Sequence, residues 1–298
     1  MNPVEAPLLA VTVQAVHVED RAAIVLRGKD RTTWLNGLVT CDLAKLTAGQ
    51  AAYGLIVEKK GRIQTDFFLV PGVDALVLAV PATLRDSLVE LLDHYLIMED
   101  VELEATDLAF WQLHGPASRD VASALMPAWV GALDLLGDGG AIVAASREEA
   151  DAFGTRLRGA VTDAGGEILP EARWESLRIE RGLPRFGVEF DTTLYPQEAG
   201  LERSAVAFDK GCYLGQEVVY MLENRGHVKR KLVPLDIDGT DPPVAGAAVT
   251  LPDGTPVGDV KSSTFGPSGK AVAIAMIKYA HAKAGTELRA GEHVARVR

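Results

Sequence analysis

The 298-residue chain reads as an α+β protein, with helices packed on antiparallel sheets and an all-β unit appended at its C-terminal end. Three observations predict this. Over the first two thirds, short β-rich runs alternate with amphipathic helical stretches. From Val233 onward, short β runs alternate with turn pairs such as Asp241-Pro242, Asp253-Gly254 and Gly266-Pro267, which suits a small antiparallel barrel. Charge changes near the same place: residues 1–226 carry 20 basic and 34 acidic side chains, a balance of −14, whereas residues 227–298 carry 10 and 7, a balance of +3. The chain is therefore expected to divide into 1–226 and a C-terminal unit at 227–298.

Taken in order, Ala22 to Leu26 is an apolar strand, and Asp30 is placed to cap a helix carrying Trp34, Leu35 and Leu38. Ala51 to Val57 and Arg62 to Val70 form a hairpin about Glu58-Lys59-Lys60-Gly61, where glycine supplies the positive φ of a tight reversal. Leu84, Leu88, Leu91, Leu92 and Tyr95 recur at helical spacing, predicting a helix packed on that hairpin, and Val101 to Glu104 returns as a strand. A second strand and helix follow at Phe110 to Leu113 and Ala117 to Met126. Between Gly131 and Gly166 glycines are dense and only Ala141 to Ala145 stands out as a strand. Helices at Glu171 to Arg181 and Gly215 to Arg225 end at Gly182 and Gly226.

Composition narrows the function. Hydrophobic residues are 48% and charged residues 24%, the profile of a folded globular chain. No apolar run approaches the roughly 20 residues that span a bilayer. Met1 to Ala10 lacks a basic stretch followed by an apolar core, so no secretory signal is expected and a cytoplasmic location is inferred. The net charge of −11 disfavours direct nucleic-acid binding, which needs clustered Lys and Arg. Only Cys41 and Cys212 are present, with no CxxC pair or Cys/His cluster, so neither a disulfide framework nor a metal site is expected. Phosphate loops, dinucleotide fingerprints and hydrolase elbows are absent as well.

Chemistry concentrates in Lys210-Gly211-Cys212-Tyr213-Leu214-Gly215-Gln216-Glu217. A cysteine ahead of a helix, with Lys210 nearby, has surroundings that favour a thiolate; a buried structural thiol is the plain alternative. Glu180, in Arg178-Ile179-Glu180-Arg181-Gly182, is either a ligand carboxylate or a solvated helix residue. Asp66 closes Gly61-Arg62-Ile63-Gln64-Thr65-Asp66 and is either a base or an outward strand residue. Arg225, Lys229, Arg230 and Lys231 form a basic cluster, suited to an anionic tail or simply a solvated face. Asp30-Arg31 with Asn36 reads as capping and packing, Cys41 as structural, and His227 has no partner in view.

The motif Lys210 to Glu217 resembles K-G-C-[FY]-x-G-Q-E, the signature of the YgfZ family within the glycine-cleavage T-protein superfamily, at every fixed position. The resemblance extends through Gly28 to Thr40, Gly61 to Asp66, Arg178 to Pro184, Pro196 to Glu198 and Arg225-Gly226, about 270 residues in all. It implies a three-domain ring of two intertwined ferredoxin-like parts, the second at about 46–109, plus a C-terminal antiparallel β-barrel. It further implies a folate-binding protein, with tetrahydrofolate or a derivative as cofactor, that serves iron–sulfur cluster assembly or repair and affects tRNA modification indirectly. Expected partners are iron–sulfur proteins or assembly factors, with no membrane, and a monomer is expected. By the same resemblance Cys212, Asp66 and Lys210 are the candidate catalytic residues, and Glu180, Arg178, Arg225, Tyr213 and Gln216 the candidate folate-binding ones. Where T-proteins carry an aspartate pair, this chain has Thr65 before Asp66, a departure that counts against the alternative of an aminomethyl or one-carbon transferase. A folate-sensing scaffold without chemistry is the third reading.

Overall fold

The computed structural model describes residues 12–239 and 241–298; Met1 to Ala10, read above for a secretory signal, lies outside them. Two five-stranded sheets and a closed barrel meet in one core. The first sheet has the order β10-β1-β7-β9-β8, built from β1 (Gln14–Val18), β7 (Leu108–His114), β8 (Trp129–Ala132), β9 (Gly140–Ser146) and β10 (Glu167–Ile168). The second lies entirely between β1 and β7 in the chain, with the order β3-β4-β5-β2-β6: β2 (Arg21–Arg27), β3 (Ala52–Val57), β4 (Ile63–Pro71), β5 (Leu76–Pro81) and β6 (Glu102–Thr106). The two sheets are intertwined because β1 enters the first sheet before the second is made.

Each sheet is covered by helices on its outer face. Trp34 and Leu35 of α1 (Arg31–Asn36) and Leu88 and Leu92 of α2 (Arg85–Asp93) pack on Ile24, Leu26, Phe67 and Leu78. Helix α2 lies over β2 and β6 of that sheet rather than over the hairpin itself. On the first sheet, α3 (Ser118–Ala124) and α4 (Ala150–Asp163) cover Trp111, Leu113 and Val143. The glycine-dense stretch thus contains α4, whose Phe153, Leu157 and Val161 repeat at four-residue intervals and are all buried. Asp30 departs from its expected role. It makes no side-chain cap and instead accepts from the Asp100 N–H at 2.9 Å, tying α1 to the start of β6. Asn36 accepts from the Leu43 N–H, as capping and packing require.

The inner faces of both sheets close on a common cluster, with Tyr53, Leu55 and Phe68 from one side and Phe110, Ile142 and Ala144 from the other. The barrel joins it through Leu232, Val272, Ile274 and Met276. Its strands are β11 (Arg230–Ile237), β12 (Ala248–Thr250), β13 (Pro256–Phe265), β14 (Ala271–Lys278), β15 (Glu287–Ala290) and β16 (His293–Val297), closed in the order β11-β14-β13-β12-β15-β16 with every pair antiparallel. Helix α5 (Glu171–Arg181) sits where the three bodies meet, against β1, β11, β13 and β14. Helix α6 (Gln216–Asn224) packs on the β3–β4 turn and ends at Arg225, which has ordinary negative φ, so Gly226 is not its stop. No helix among the described residues is long and apolar enough to cross a membrane.

Candidate ligand cleft and the Cys212 loop

A cleft of about 610 Å³, counted with its open mouth, lies between the inner faces of the two sheets and α5. From the second sheet come Arg21, Tyr53, Asp66 and Phe68; from the first, Val16, Val18 and Gln112; from α5, Glu171, Trp174, Glu175 and Arg178. Those four α5 residues are spaced i, i+3, i+4, i+7 and so share one helical face.

At the floor, Arg21 reaches from β2 across β5 to grip Asp66 on β4 through two parallel bonds, Nη1 to Oδ1 at 2.8 Å and Nη2 to Oδ2 at 3.1 Å. The Tyr53 hydroxyl donates to the same Oδ2 at 3.1 Å. Both charged side chains are at most 5% exposed. A bidentate pair of this kind offsets the desolvation that burying either ion alone would incur. Burial works against the Arg21 cation, but Asp66 outweighs it and its pKa rises; burial, reinforced by the Asp66 charge, pushes the Tyr53 phenol well above its usual range. Arg21 also stacks over the Phe68 ring at 4.8 Å.

A second network lines the rim. Arg178 is buried and donates to Glu175, to the Leu183 carbonyl and to Glu189, whose side chain is wholly buried. Arg185 donates to Glu175 at 2.8 Å. Burial would raise the Glu175 carboxyl, yet the bonds and charges of Arg178 and Arg185 hold it below its ordinary value. Asp20 lies between the networks, 3.9 Å from Arg21 Nε and 3.6 Å from Arg185 Nε.

Of the residues singled out from sequence, Asp66 and Arg178 reach this cleft. Glu180 does not line it. It stands five positions beyond Glu175, roughly 140° around the helix, and faces the barrel, where it accepts from the Ser268 N–H at 3.0 Å and packs against Gly266. Asp66 is an inward residue, 2% exposed. Sequence reasoning missed Arg21, Glu175, Arg185 and Gln112; for Glu175 the i, i+4 relation to Glu171 was the available signal.

Cys212 is exposed and lies outside the cleft. It occupies a loop ahead of α6, docked through the Leu214 N–H to the Gly37 carbonyl at 3.0 Å. The loop turns into the helix at Gly215, with φ +79° and the place of a Cβ only 2.4 Å from the Glu58 carbonyl oxygen, so glycine is required there. Helix α6 begins four residues after Cys212, and its end charge decays within a turn. Lys210, expected to lend its charge to this thiol, is held by the backbone. Its three ammonium donors go to the carbonyls of Asn36, Val39 and Cys41 at 2.7, 2.9 and 2.7 Å, and an ammonium has only three. Tyr213 is buried with its hydroxyl unpaired among the described residues, and burial pushes its pKa up to about 12. Gln216 reaches back toward the Gly211 carbonyl at 3.5 Å, and Arg225 is exposed. The basic cluster is divided, since Arg230 pairs with buried Glu198 and Lys231 with buried Glu202. His227 stacks on Tyr279, and Cys41 is buried with its thiol pKa raised by burial to about 12.

Residues 5–134 match the GCVT N-terminal domain, and residues 230–297 the glycine cleavage T-protein C-terminal barrel domain. The tRNA-modifying protein YgfZ of Sodalis glossinidius is 28% identical over 253 residues, covering 79% of this chain and 75% of that protein. An aminomethyltransferase of Chlorobaculum parvum is 27% identical over 289 residues, covering 88% and 78%. The crystal structure of the glycine cleavage system aminomethyltransferase T from Bartonella henselae superposes with a TM-score of 0.82 at 21% identity, covering 97% of this chain and 85% of that one, which establishes a shared fold.

Proposed function

The chain belongs to the glycine-cleavage T-protein superfamily, and from that membership we propose that it is a tetrahydrofolate-binding accessory protein for iron–sulfur cluster assembly or repair, with Cys212 as its working thiol. The observation that carries this reading over aminomethyl transfer is the Arg21–Asp66 pair. Both Asp66 oxygens accept from the guanidinium and one also from Tyr53, so three of the roughly four acceptor positions of the carboxylate are engaged inside the protein rather than open to a substrate proton.

The cleft suits a folate. Phe68 and Trp174 offer aromatic surface to a flat bicycle, Asp20 offers an acceptor to its exocyclic amine, and Arg185 offers a cation to an anionic tail. Tetrahydrofolate, when bound, supplies a carrier for one-carbon units. This chain's part would be to seat the ring and shield it from bulk water. Cys212 stands apart from that seat. Strand β4, which carries Asp66, runs back to the turn at Gly61, where Val218 and Val219 of α6 are packed, so ligand seat and thiol loop share one hairpin. The exposure of Cys212 weighs against the scaffold reading, in which it merely packs.

The test is complementation of a strain lacking its own homologue, with cluster-dependent enzymes assayed. Cys212→Ala, folded and expressed at wild-type level, is expected to fail to restore them. Full rescue would overturn the thiol role, and aminomethyl transfer between a lipoylated carrier and tetrahydrofolate by the purified protein would favour the transferase reading instead.

A further inference from the structure

Gln112 lies on β7 with Phe110 and His114 on the face turned to the cleft, its strand neighbours there being Val16 and Ile142. It is 7% exposed, yet its side-chain carboxamide makes no hydrogen bond to any described residue. Its amide atoms are not sealed off from the cleft, so this primary amide, set beside Val16, Val18 and Trp174, keeps its hydrogen-bonding capacity for whatever the cleft holds. Unlike Asp66, which is held by Arg21 and Tyr53, and unlike Glu175 and Arg178, which hold each other, it is an unengaged polar side chain in the wall of the cleft.

We propose that Gln112 fixes the orientation of the bound ring by pairing its carboxamide with a lactam edge, an N–H beside a C=O. A primary amide offers a donor and an acceptor side by side and turns over to meet the pair in either order. Two neutral bonds between matched edges in a water-poor cleft give geometric selection that a lone donor cannot. A guanidinium or a carboxylate at this position would demand an all-acceptor or all-donor edge and a charge to match; Gln112 demands neither. The ligand class is a flat, uncharged heterocycle bearing a lactam, and a pterin, with N3–H beside C4=O, is one member. The choice of a folate as probe rests on the reading of the preceding subsection.

The experiment titrates the full chain with tetrahydrofolate and with its 3-methyl derivative, in which a methyl group replaces the N3 proton, by calorimetry under anaerobic conditions. Wild type is expected to bind tetrahydrofolate about tenfold or more tightly, the worth of one buried hydrogen bond. In Gln112→Met, which keeps the side-chain length and suits the apolar neighbours, affinity for tetrahydrofolate is expected to fall by about that factor and the preference to shrink to within about twofold. Gln112→Asn, which withdraws the amide by one methylene, is expected to do the same should the methionine variant not fold. Wild type binding both ligands equally, or a preference that survives either folded variant, overturns the role of Gln112 and leaves folate binding intact. Wild type binding neither ligand overturns both.

Discussion

Arg21 and Asp66 neutralise each other inside the protein, and removing one partner leaves the other an uncompensated buried ion. Arg21→Met is therefore expected to cost about 3–5 kcal/mol in urea unfolding, whereas the double replacement Arg21→Met/Asp66→Leu should recover most of that loss, because it removes both charges. A double variant as unstable as the single one would show that the pair matters for something other than mutual neutralisation. The two thiols are also to be told apart at this scale. Cys41 is buried and its pKa is raised to about 12, so at pH 8 it stays a protonated, inaccessible thiol. Titration of the native protein with a disulfide reagent should count one reactive thiol, with the second released only on denaturation, and Cys212→Ala should abolish the native signal. Two thiols reacting at equal rates in the native state would contradict the burial of Cys41.

Among the elements, α5 and the Cys212 loop carry the most consequence. The α5 face holds Glu175 between Arg178 and Arg185, which depress its pKa below the ordinary 4.5. A carboxylate with a lowered folded-state pKa contributes stability that is present above its unfolded value and is lost as pH falls through the folded one. Glu175→Gln should therefore flatten the decline of stability below about pH 4.5, measured by urea midpoints at successive pH values; an unchanged acid limb would place that dependence on other carboxylates. The loop depends on Gly215. A Cβ there would meet the Glu58 carbonyl at 2.4 Å with φ at +79°, so Gly215→Ala is expected to cost about 2 kcal/mol or more and to loosen the loop from the hairpin. The thermal midpoint reads the first effect, and faster alkylation of Cys212 reads the second.

For the whole molecule, the cleft exists only where two sheets and α5 converge, so a ligand bound there ties all three together. Tetrahydrofolate at about 100 times its dissociation constant should stabilise the folded state by about 2.7 kcal/mol and raise the melting temperature by several degrees. No shift at saturating ligand would speak against the cleft as the seat. The acidic residues around the mouth, Glu19, Asp20 and Glu171 among them, set against Arg185, make a purely anionic ligand such as inorganic phosphate a poor competitor.

Sequence alone determined the features that are local. The hairpin about Gly61, the helix at Glu171 to Arg181 with its left-handed stop at Gly182, the β runs of the barrel from Val233 onward and the Lys210 to Glu217 motif were legible because turn chemistry, helical spacing and a contiguous signature depend on neighbours in the chain. Helix α4 was hidden because glycines at 154, 159, 165 and 166 obscured the spacing of Phe153, Leu157 and Val161. The cleft was decided by tertiary structure. Arg21 and Asp66 are 45 residues apart, Arg178 and Glu189 are 11 apart, and Lys210 finds its carbonyls some 170 residues away. Which cation meets which carboxylate, and whether a lysine is spent on backbone carbonyls or left to a thiol, follows from burial and from strand order, and neither is a property of any local stretch of chain. The placement of Glu180 shows the same limit: its motif gave the residue, but the phase of the helix against the barrel decided which way it faced.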